Sequence, residues 1–494
     1  MGYSGAVKPS AFSLPCASSW STVLRVAACL VFAAGAHAET PAASKAPRPP
    51  NVVVFVIDTL RADRLGTYGH DRPTTPVIDA LAAKSVIFDQ ANAAAPWTLP
   101  SVVSLMTSTF PCEHGVRIDG ERLRDDIVPL AEHLRRADYS TSGFVANGYA
   151  GKSSGLQRGF DQHVVVASIL GVTLERYLRP PADRPLFLYL HDIRPHTPYE
   201  APVEAFGVPV GLGLRRRVDS DLQRYRNLTK VDFVAGRTLG TTDNAPLQIE
   251  AMSQLTERRA LIEALYEAEI RAADETVGDV IAELRRIGRW DDTLFVLTAD
   301  HGEEFDDHGG WQHDQSLYDE LIRVPLIVRL PGDEAAGRRV AAPVSLVDLL
   351  ATIADLLERP EMAEQSRGNS WLPLIRGGDG SAVDRNLRIV AERHNQKKFF
   401  APFVSRRGHH NVAVREGSWK AIWNVEPDTL ELYDLATDPG EQRDASAAMP
   451  ERAAAMKRAA RDWLASCRVP QTPVPKGPIE AEDRERLRAL GYVD

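Results

Sequence analysis

The sequence predicts an α/β fold: a doubly wound, mostly parallel sheet with helices on both faces, followed by a small C-terminal α+β subdomain with a short antiparallel sheet. Three observations lead there. From Asn51 onward, apolar runs of strand length alternate with longer stretches of helical periodicity. Two of these runs, Asn51 to Asp58 (NVVVFVID) and Leu294 to Glu304 (LFVLTADHGEE), stop abruptly on carboxylate or imidazole side chains. Buried parallel strands end this way where they deliver ligands to the carboxyl edge of a sheet. After about Asp379 the runs shorten and turns separate them, which marks a change of architecture.

Residues 1–38 read as a cleavable export signal. Lys8 and Arg25 precede the apolar segment Val26 to Ala36, and Ala36-His37-Ala38 has a small-x-small cleavage pattern. That segment is shorter than the roughly 20 residues a membrane-spanning helix needs, so no transmembrane span is expected. A periplasmic or secreted location is favoured over a lipid anchor. Residues 39–50 form a proline-rich tether.

The catalytic domain is placed at 51–378. Its strand candidates are Val52 to Ile57, Ser142 to Ala146, Leu186 to Leu190, Leu294 to Thr298 and Leu326 to Val328. The clearest helix precedes the fourth of these: Val277, Val280, Ile281 and Leu284 recur at helical spacing, and Gly288 lies just past its end. Residues 206–250 lack a clear period and are expected to form an irregular insertion, with Arg215-Arg216-Arg217 on a solvated face. The subdomain at 379–494 is built from the strand-like pieces Val412 to Val414, Trp419 to Trp423 and Thr429 to Tyr433. The turn Asp438-Pro439-Gly440 and a helix near Pro450 to Ser466 follow.

The net charge of −9 gives no global attraction for a polyanion, so nucleic acid is not an expected partner. An anionic substrate must be met by a local cluster or a metal. Cys112 and Cys467, the cysteines left after the leader, have no zinc-site spacing; the sequence leaves open whether they pair.

Asp58 ends the first ligand-bearing strand. Asp300 and His301 end the second, with Gly302 supplying the turn that lets adjacent side chains diverge around one ion. Thr98 lies between two prolines in Ala95 to Thr109 (APWTLPSVVSLMTST), at the start of a helical run whose free N–H groups and dipole favour an anion. Singly, Asp58 or Thr98 could serve as a helix cap. Together, Asp58, Thr98, Asp300 and His301 form a mixed nitrogen and oxygen set for one divalent metal, suited to Mn, Zn or Fe better than Ca. Thr98 is the nucleophile in this reading, because an alcohol becomes reactive once a base or metal lowers its pKa. His196, in His191 to Tyr199 (HDIRPHTPY), and His313, in the charged loop Glu303 to Gln315, are candidates for general acid and for contact with the ester oxygens.

These residues resemble the sulfatase family of the alkaline phosphatase superfamily, over about Asn51 to Asp494. The matching stretches are VIDTLRADRLGTYG from Val56, TTPVIDALAAKSVIF from Thr74, TADHGEE from Thr298, LYDELIRVPLIV from Leu317 and ELYDLATDPGE from Glu431. The tail RERLRALGYV from Arg484 is similar to the ending of many exported relatives. The resemblance implies that Asp58, Asp300 and His301 bind the metal, that Thr98 is the nucleophile, and that His196, His313 and Arg61 contact the substrate.

The chain departs from the standard pattern. Sulfatases carry a cysteine or serine that becomes formylglycine, followed by x-Pro-x-Arg; here the stretch is Thr98-Leu99-Pro100-Ser101-Val102. Thr59 stands where many have a second aspartate, and His301 where many have asparagine. The pattern is closer to the phosphodiesterase, phosphonate-monoester and phosphoglycerol-transferring branches. It implies a two-step reaction through a covalent threonyl intermediate, released by water or an acceptor alcohol. The implied substrate is a small anionic phospho- or sulfo-ester of a lipid, glycan or simple alcohol. Phosphate is favoured, because a sulfated plain alcohol lacks the elimination route of formylglycine hydrate.

Asp192 and His196 have the D-x-x-x-H spacing of a second zinc site found in nucleotide pyrophosphatase relatives, which needs a further histidine such as His409 or His410. Asp119 stands about where some diesterase relatives place an asparagine that donates to phosphate. Two other readings compete with the leading one: a sulfatase that works without formylglycine, and a catalytically silent member that binds an anionic glycan or lipid headgroup.

Overall fold

Val52 to Ile57 are all fully buried, so this strand is covered on both faces and needs an unbroken apolar run rather than an alternating one. It is the central strand β1 (Asn51–Ile57) of a nine-stranded mixed sheet. The computed structural model describes residues 2, 48–167, 169, 174, 178–202, 212–229, 233–234, 237–238, 245–378, 389–394, 410–468, 474–477, 484–485 and 487–488. The expected leader and most of the tether lie outside the described residues, as do His409 and most of the tail.

The other strands of this sheet are β2 (Val86–Asn92), β3 (Ser140–Val145), β4 (Gln162–Val165), β5 (Leu186–Asp192), β6 (Thr293–Thr298), β7 (Arg323–Arg329), β8 (Arg339–Val340) and β9 (Val344–Ser345). Their order is β8-β2-β7-β6-β1-β5-β3-β4, with β9 also against β2. Only β7 runs antiparallel to its neighbours β2 and β6; the remaining pairs are parallel. The sheet is therefore mostly parallel, with helices on both faces. Burying one Val, Ile or Phe side chain of such a strand contributes about 1.5–3 kcal/mol in transfer free energy, which makes β1 the anchor of the core.

The helices include α1 (Pro76–Ala82), α2 (Thr98–Thr107), α3 (Leu130–Arg136), α4 (Leu212–Thr229), α5 (Ala245–Glu257), α6 (Arg259–Arg286) and α7 (Leu349–Leu356). The expected irregular insertion contains α4 and the start of α5. Among the described side chains of α4, Val218, Leu222 and Tyr225 supply a buried apolar stripe among many charges, so the period is too sparse to read from sequence. Arg215 is buried while Arg216 and Arg217 are exposed, so the solvated reading holds for two of the three arginines. Strand β2 was absent from the expected set because its second half, Asp89-Gln90-Ala91-Asn92, is polar; β7 and the short β8 and β9 pair with it regardless.

The C-terminal sheet has four antiparallel strands in sequence order: β10 (Ile389–His394), β11 (His410–Glu416), β12 (Trp419–Asn424) and β13 (Thr429–Asp434). Alternation sorts its faces. Val412, Val414, Ala421, Trp423 and Leu432 pack with Met456 and Ala460 of α8 (Pro450–Ser466), while Ala413, Ile422 and Tyr433 pack on Leu317, Tyr318 and Leu321 of the main domain. Cys112 and Cys467 form a disulfide that ties the end of α8 to the segment after α2, settling what the sequence left open.

Candidate active site

Strand register builds the site. Val56 of β1 lies opposite Thr298 of β6 on one side and His191 of β5 on the other, and His191 lies opposite Val145 of β3. Parallel neighbours in register end at one level, so Asp58, Asp300, His191 and Asn147 gather at the carboxyl edge. Thr98 reaches the same place as the first residue of α2. Its helix is held there by Ser101, whose hydroxyl donates to the Asp300 carbonyl at 2.5 Å.

All of these groups are fully buried. Thr98 Oγ1 lies 3.2 Å from His301 Nε2. His301 Nε2 is 3.6 Å from Asp58 Oδ1 and 3.6 Å from Asp300 Oδ2. The other ring nitrogen, Nδ1, donates to the Gly302 carbonyl at 2.9 Å, which turns Nε2 toward the acids. Asp58 Oδ1 and Asp300 Oδ2 have no hydrogen-bond partner. Buried carboxylate oxygens are not left this way without an ion or proton to meet them.

The electrostatics agree. Burial and then the charge of Asp58 push Asp300 up to about 6. Burial also acts to raise Asp58, but a hydrogen bond with His191 and the nearby charges of His196, His191 and His301 hold it below the usual carboxylate range. His191 is held above its ordinary value, against the effect of burial, by Asp58 and Asp300. Two carboxylates packed this closely call for positive charge between them.

The residues present fit a divalent ion. Ligands about 2.0–2.2 Å from a common centre stand roughly 3–3.5 Å apart, close to the distances from His301 Nε2 to Thr98 Oγ1, 3.2 Å, and to Asp58 and Asp300, 3.6 Å each. The two strand ends and the threonine expected to form one site are brought together.

The site also holds groups that sequence reasoning missed. His191 Nε2 is 3.3 Å from Asp58 Oδ2 and 3.8 Å from Asp300 Oδ2, and Asp58, His191 and Asp300 also make a geometric ligand set. Asn147 donates to Asp58 Oδ2 at 2.7 Å and approaches Thr98 Oγ1 at 3.4 Å. Both follow the strand-end logic that identified Asp58 and Asp300. Applied to Leu186 to Leu190 and to Ser142 to Ala146, it would have found His191 and Asn147.

His196 and His313 come together as expected. Their ring centroids are 5.1 Å apart, and His313 lies 4.7 Å from the ring of His301. Although it belongs to a charged loop, His313 is buried, and Glu303 Oε1 meets its Nδ1 at 3.0 Å. Glu303 therefore orients this ring, a role the sequence did not reveal.

The Arg61 guanidinium is buried and donates to both oxygens of Asp63, to Asp307 and to the Glu303 carbonyl, so most of its donors tie together the loops around the site. Of the possible second-metal set, the Asp192 carboxylate takes the Arg194 guanidinium at 2.9 Å, and His410 lies against Glu392 in the C-terminal sheet. Asp119 accepts from the Tyr149 hydroxyl at 2.9 Å.

The chain matches the family model described as Sulfatase over residues 50–359, and the model for the C-terminal part of N-sulphoglucosamine sulphohydrolase over residues 307–462. It is 24% identical to a choline-sulfatase of Rhizobium meliloti, covering 79% of this chain and 83% of the relative. It is 26% identical to a Delta 4,5-hexuronate-2-O-sulfatase of Bacteroides thetaiotaomicron, covering 82% and 86%. The structure of a phosphonate monoester hydrolase of Agrobacterium radiobacter superposes with a TM-score of 0.61 at 21% identity, over 84% of this chain and 95% of that one. At that identity the superposition speaks to the fold.

Proposed function

The chain belongs to the sulfatase family of ester hydrolases, and on that premise we propose that it is an exported, metal-dependent enzyme that uses Thr98 as nucleophile and prefers phosphate esters to sulfate esters. The observation that carries this reading is the position of Thr98 Oγ1, 3.2 Å from His301 Nε2 and beside two buried acids with unpartnered oxygens. Asp58, Asp300, His301 and Thr98 would hold a divalent ion, which supplies Lewis-acid polarisation and lowers the pKa of the threonine hydroxyl.

The remaining steps belong to the chain. Thr98 Oγ1, ionised beforehand by loss of its proton to solvent, forms a bond to phosphorus as the ester P–O bond breaks, leaving the phosphoryl group on threonine. Asn147, beside the nucleophile, directs an N–H toward the reacting oxygens. His313, oriented by Glu303, hands a proton to the departing alkoxide, and His196 faces the same oxygens. In the second step His313 takes a proton from water or an acceptor alcohol, which displaces the threonine in line and restores it.

The preference for phosphate rests on chemistry. A threonyl phosphate is open to in-line attack, whereas a threonyl sulfate lacks the elimination route available to formylglycine, and Val102 replaces the arginine of the standard pattern. The curated relatives are named as sulfatases, which keeps a formylglycine-independent sulfatase as the second reading. Export is supported by the Cys112–Cys467 disulfide, a bond that persists in oxidising compartments. Among the described residues no helix is long and apolar enough to cross a membrane.

Turnover of matched aryl phosphate monoesters, diesters, phosphonates and sulfates, with metal analysis of the same sample, tests the reading. A diester, monoester or phosphonate is expected to lead the ranking, and Thr98→Ala to abolish covalent labelling. Faster turnover of the sulfate gives the second reading; turnover that survives unchanged in Thr98→Ala removes Thr98 as nucleophile; and wild type that neither turns over any of these esters nor labels makes the chain a silent anion binder.

A further inference from the structure

The geometry points to Glu392, His394 and His410 as a second site for a divalent transition metal, built into the C-terminal sheet and separate from the strand ends that carry Asp58 and Asp300. The three residues share one face by register. His394 of β10 lies directly opposite His410 of β11, and Glu392 is two residues before His394. Glu392 Oε1, one nitrogen of His394 and one of His410 all lie within 4.8 Å of one another. The imidazole rings stack at 3.9 Å between centroids and 27° between planes, so both present ring nitrogens to the same carboxylate. His394 Nε2 contacts Glu392 Oε1 directly, and His410 Nε2 lies 3.4 Å from it.

The cluster has the geometry of a ligand set. His410 Nε2 is buried and makes no well-placed hydrogen bond, although it faces Glu392 Oε1. Glu392 is fully buried, and its second oxygen accepts the Cys112 N–H at 3.0 Å. That bond fixes the carboxylate from behind, as outer hydrogen bonds fix metal ligands. Cys112 is itself pinned by its disulfide. Two imidazoles and one carboxylate suit Zn, or Mn and Fe, in preference to Ca or Mg, and three protein ligands leave a position for water or an anionic ligand. The β10 backbone also joins the nucleophile's loop, since the Glu392 N–H donates to the Ala94 carbonyl at 2.8 Å. An ion here would brace the subdomain against the segment that leads into Thr98.

The test is Zn2+ uptake by the full chain, titrated against a chromogenic chelator. Wild type is expected to take up about two ions, the Asp58→Asn/Asp300→Asn double variant about one, and the double variant with His410→Gln none. His394→Gln is made in parallel, and thermal melts of the metal-free proteins identify any substitution that unfolds the chain. Co2+ bound to the double variant should show the absorption bands of a nitrogen-ligated ion, and either histidine substitution should remove them. A double variant that binds no ion, or folded histidine variants that bind as much as their parent, overturns the assignment.

Discussion

His191 Nε2 stands 3.3 Å from one oxygen of Asp58 and 3.8 Å from one of Asp300, so a single imidazole bridges the acids delivered by two different strands. Its ring is turned by Tyr189, whose hydroxyl lies 3.1 Å from Nδ1. Whether His191 meets the ion or only holds the acids, its removal leaves their repulsion uncompensated. His191→Asn is expected to weaken metal affinity about 10–100-fold, as losses around metal ligands do. Metal titration with kcat measured at saturating metal checks this: recovery of kcat at high metal marks a positioning role, and unchanged affinity removes His191 from the site.

Asn147 touches both Asp58 and Thr98, at 2.7 Å and 3.4 Å. Loss of a preorganised donor lowers the rate of the chemical step more than substrate binding. Asn147→Ala is expected to reduce kcat about 100-fold with little change in KM. A change confined to KM would place the amide on the substrate instead.

His114 is buried under α2, where its Nδ1 accepts the Val116 N–H at 3.0 Å and its Nε2 meets Ser104 Oγ at 3.0 Å. Burial drives this imidazole down to about 3. Its folded value lies below the unfolded one of about 6.5, so the unfolded chain binds the extra proton as pH falls from about 6 to about 3. Stability from this group is thus full above pH 7 and is lost on acidification, by up to about 1.4 kcal/mol per pH unit. Denaturant melts of wild type and His114→Gln across that range check it. The variant should start less stable at pH 7 and show a shallower acid slope.

The Cys112–Cys467 bridge closes a loop of 355 residues and joins α8 to the main domain. Constraining so long a loop in the unfolded chain typically contributes 2–4 kcal/mol, with a range of about 0–5. Cys467→Ser is expected to lower the Tm by several degrees, and the C-terminal subdomain should become the first region to yield to limited proteolysis. Equal proteolysis of both proteins would show that packing of α8 on the sheet holds without the bond.

Part of this site was legible because its signals are local. An apolar run that ends on Asp58, a second that ends on Asp300 and His301, and a threonine placed between two prolines ahead of a helix are each read within ten residues or so. Arg61 shows the complementary case. An arginine three residues after Asp58 looks poised for an anion, and only the fold shows that its guanidinium donates to Asp63, Asp307 and the Glu303 carbonyl.

The order of residues alone was enough for the α/β class and the antiparallel appendage, and it singled out four residues that the fold brings together, since hydrophobic period and abrupt strand ends are properties of short segments. Strand order and register decided the rest. Val56 finds His191 and Thr298 as neighbours, and Glu392 finds His410, only after the sheets have formed. Pairing between segments so far apart in the chain depends on burial of whole faces, so the partners of a charged side chain follow from the packed core and cannot be read from the residues beside it.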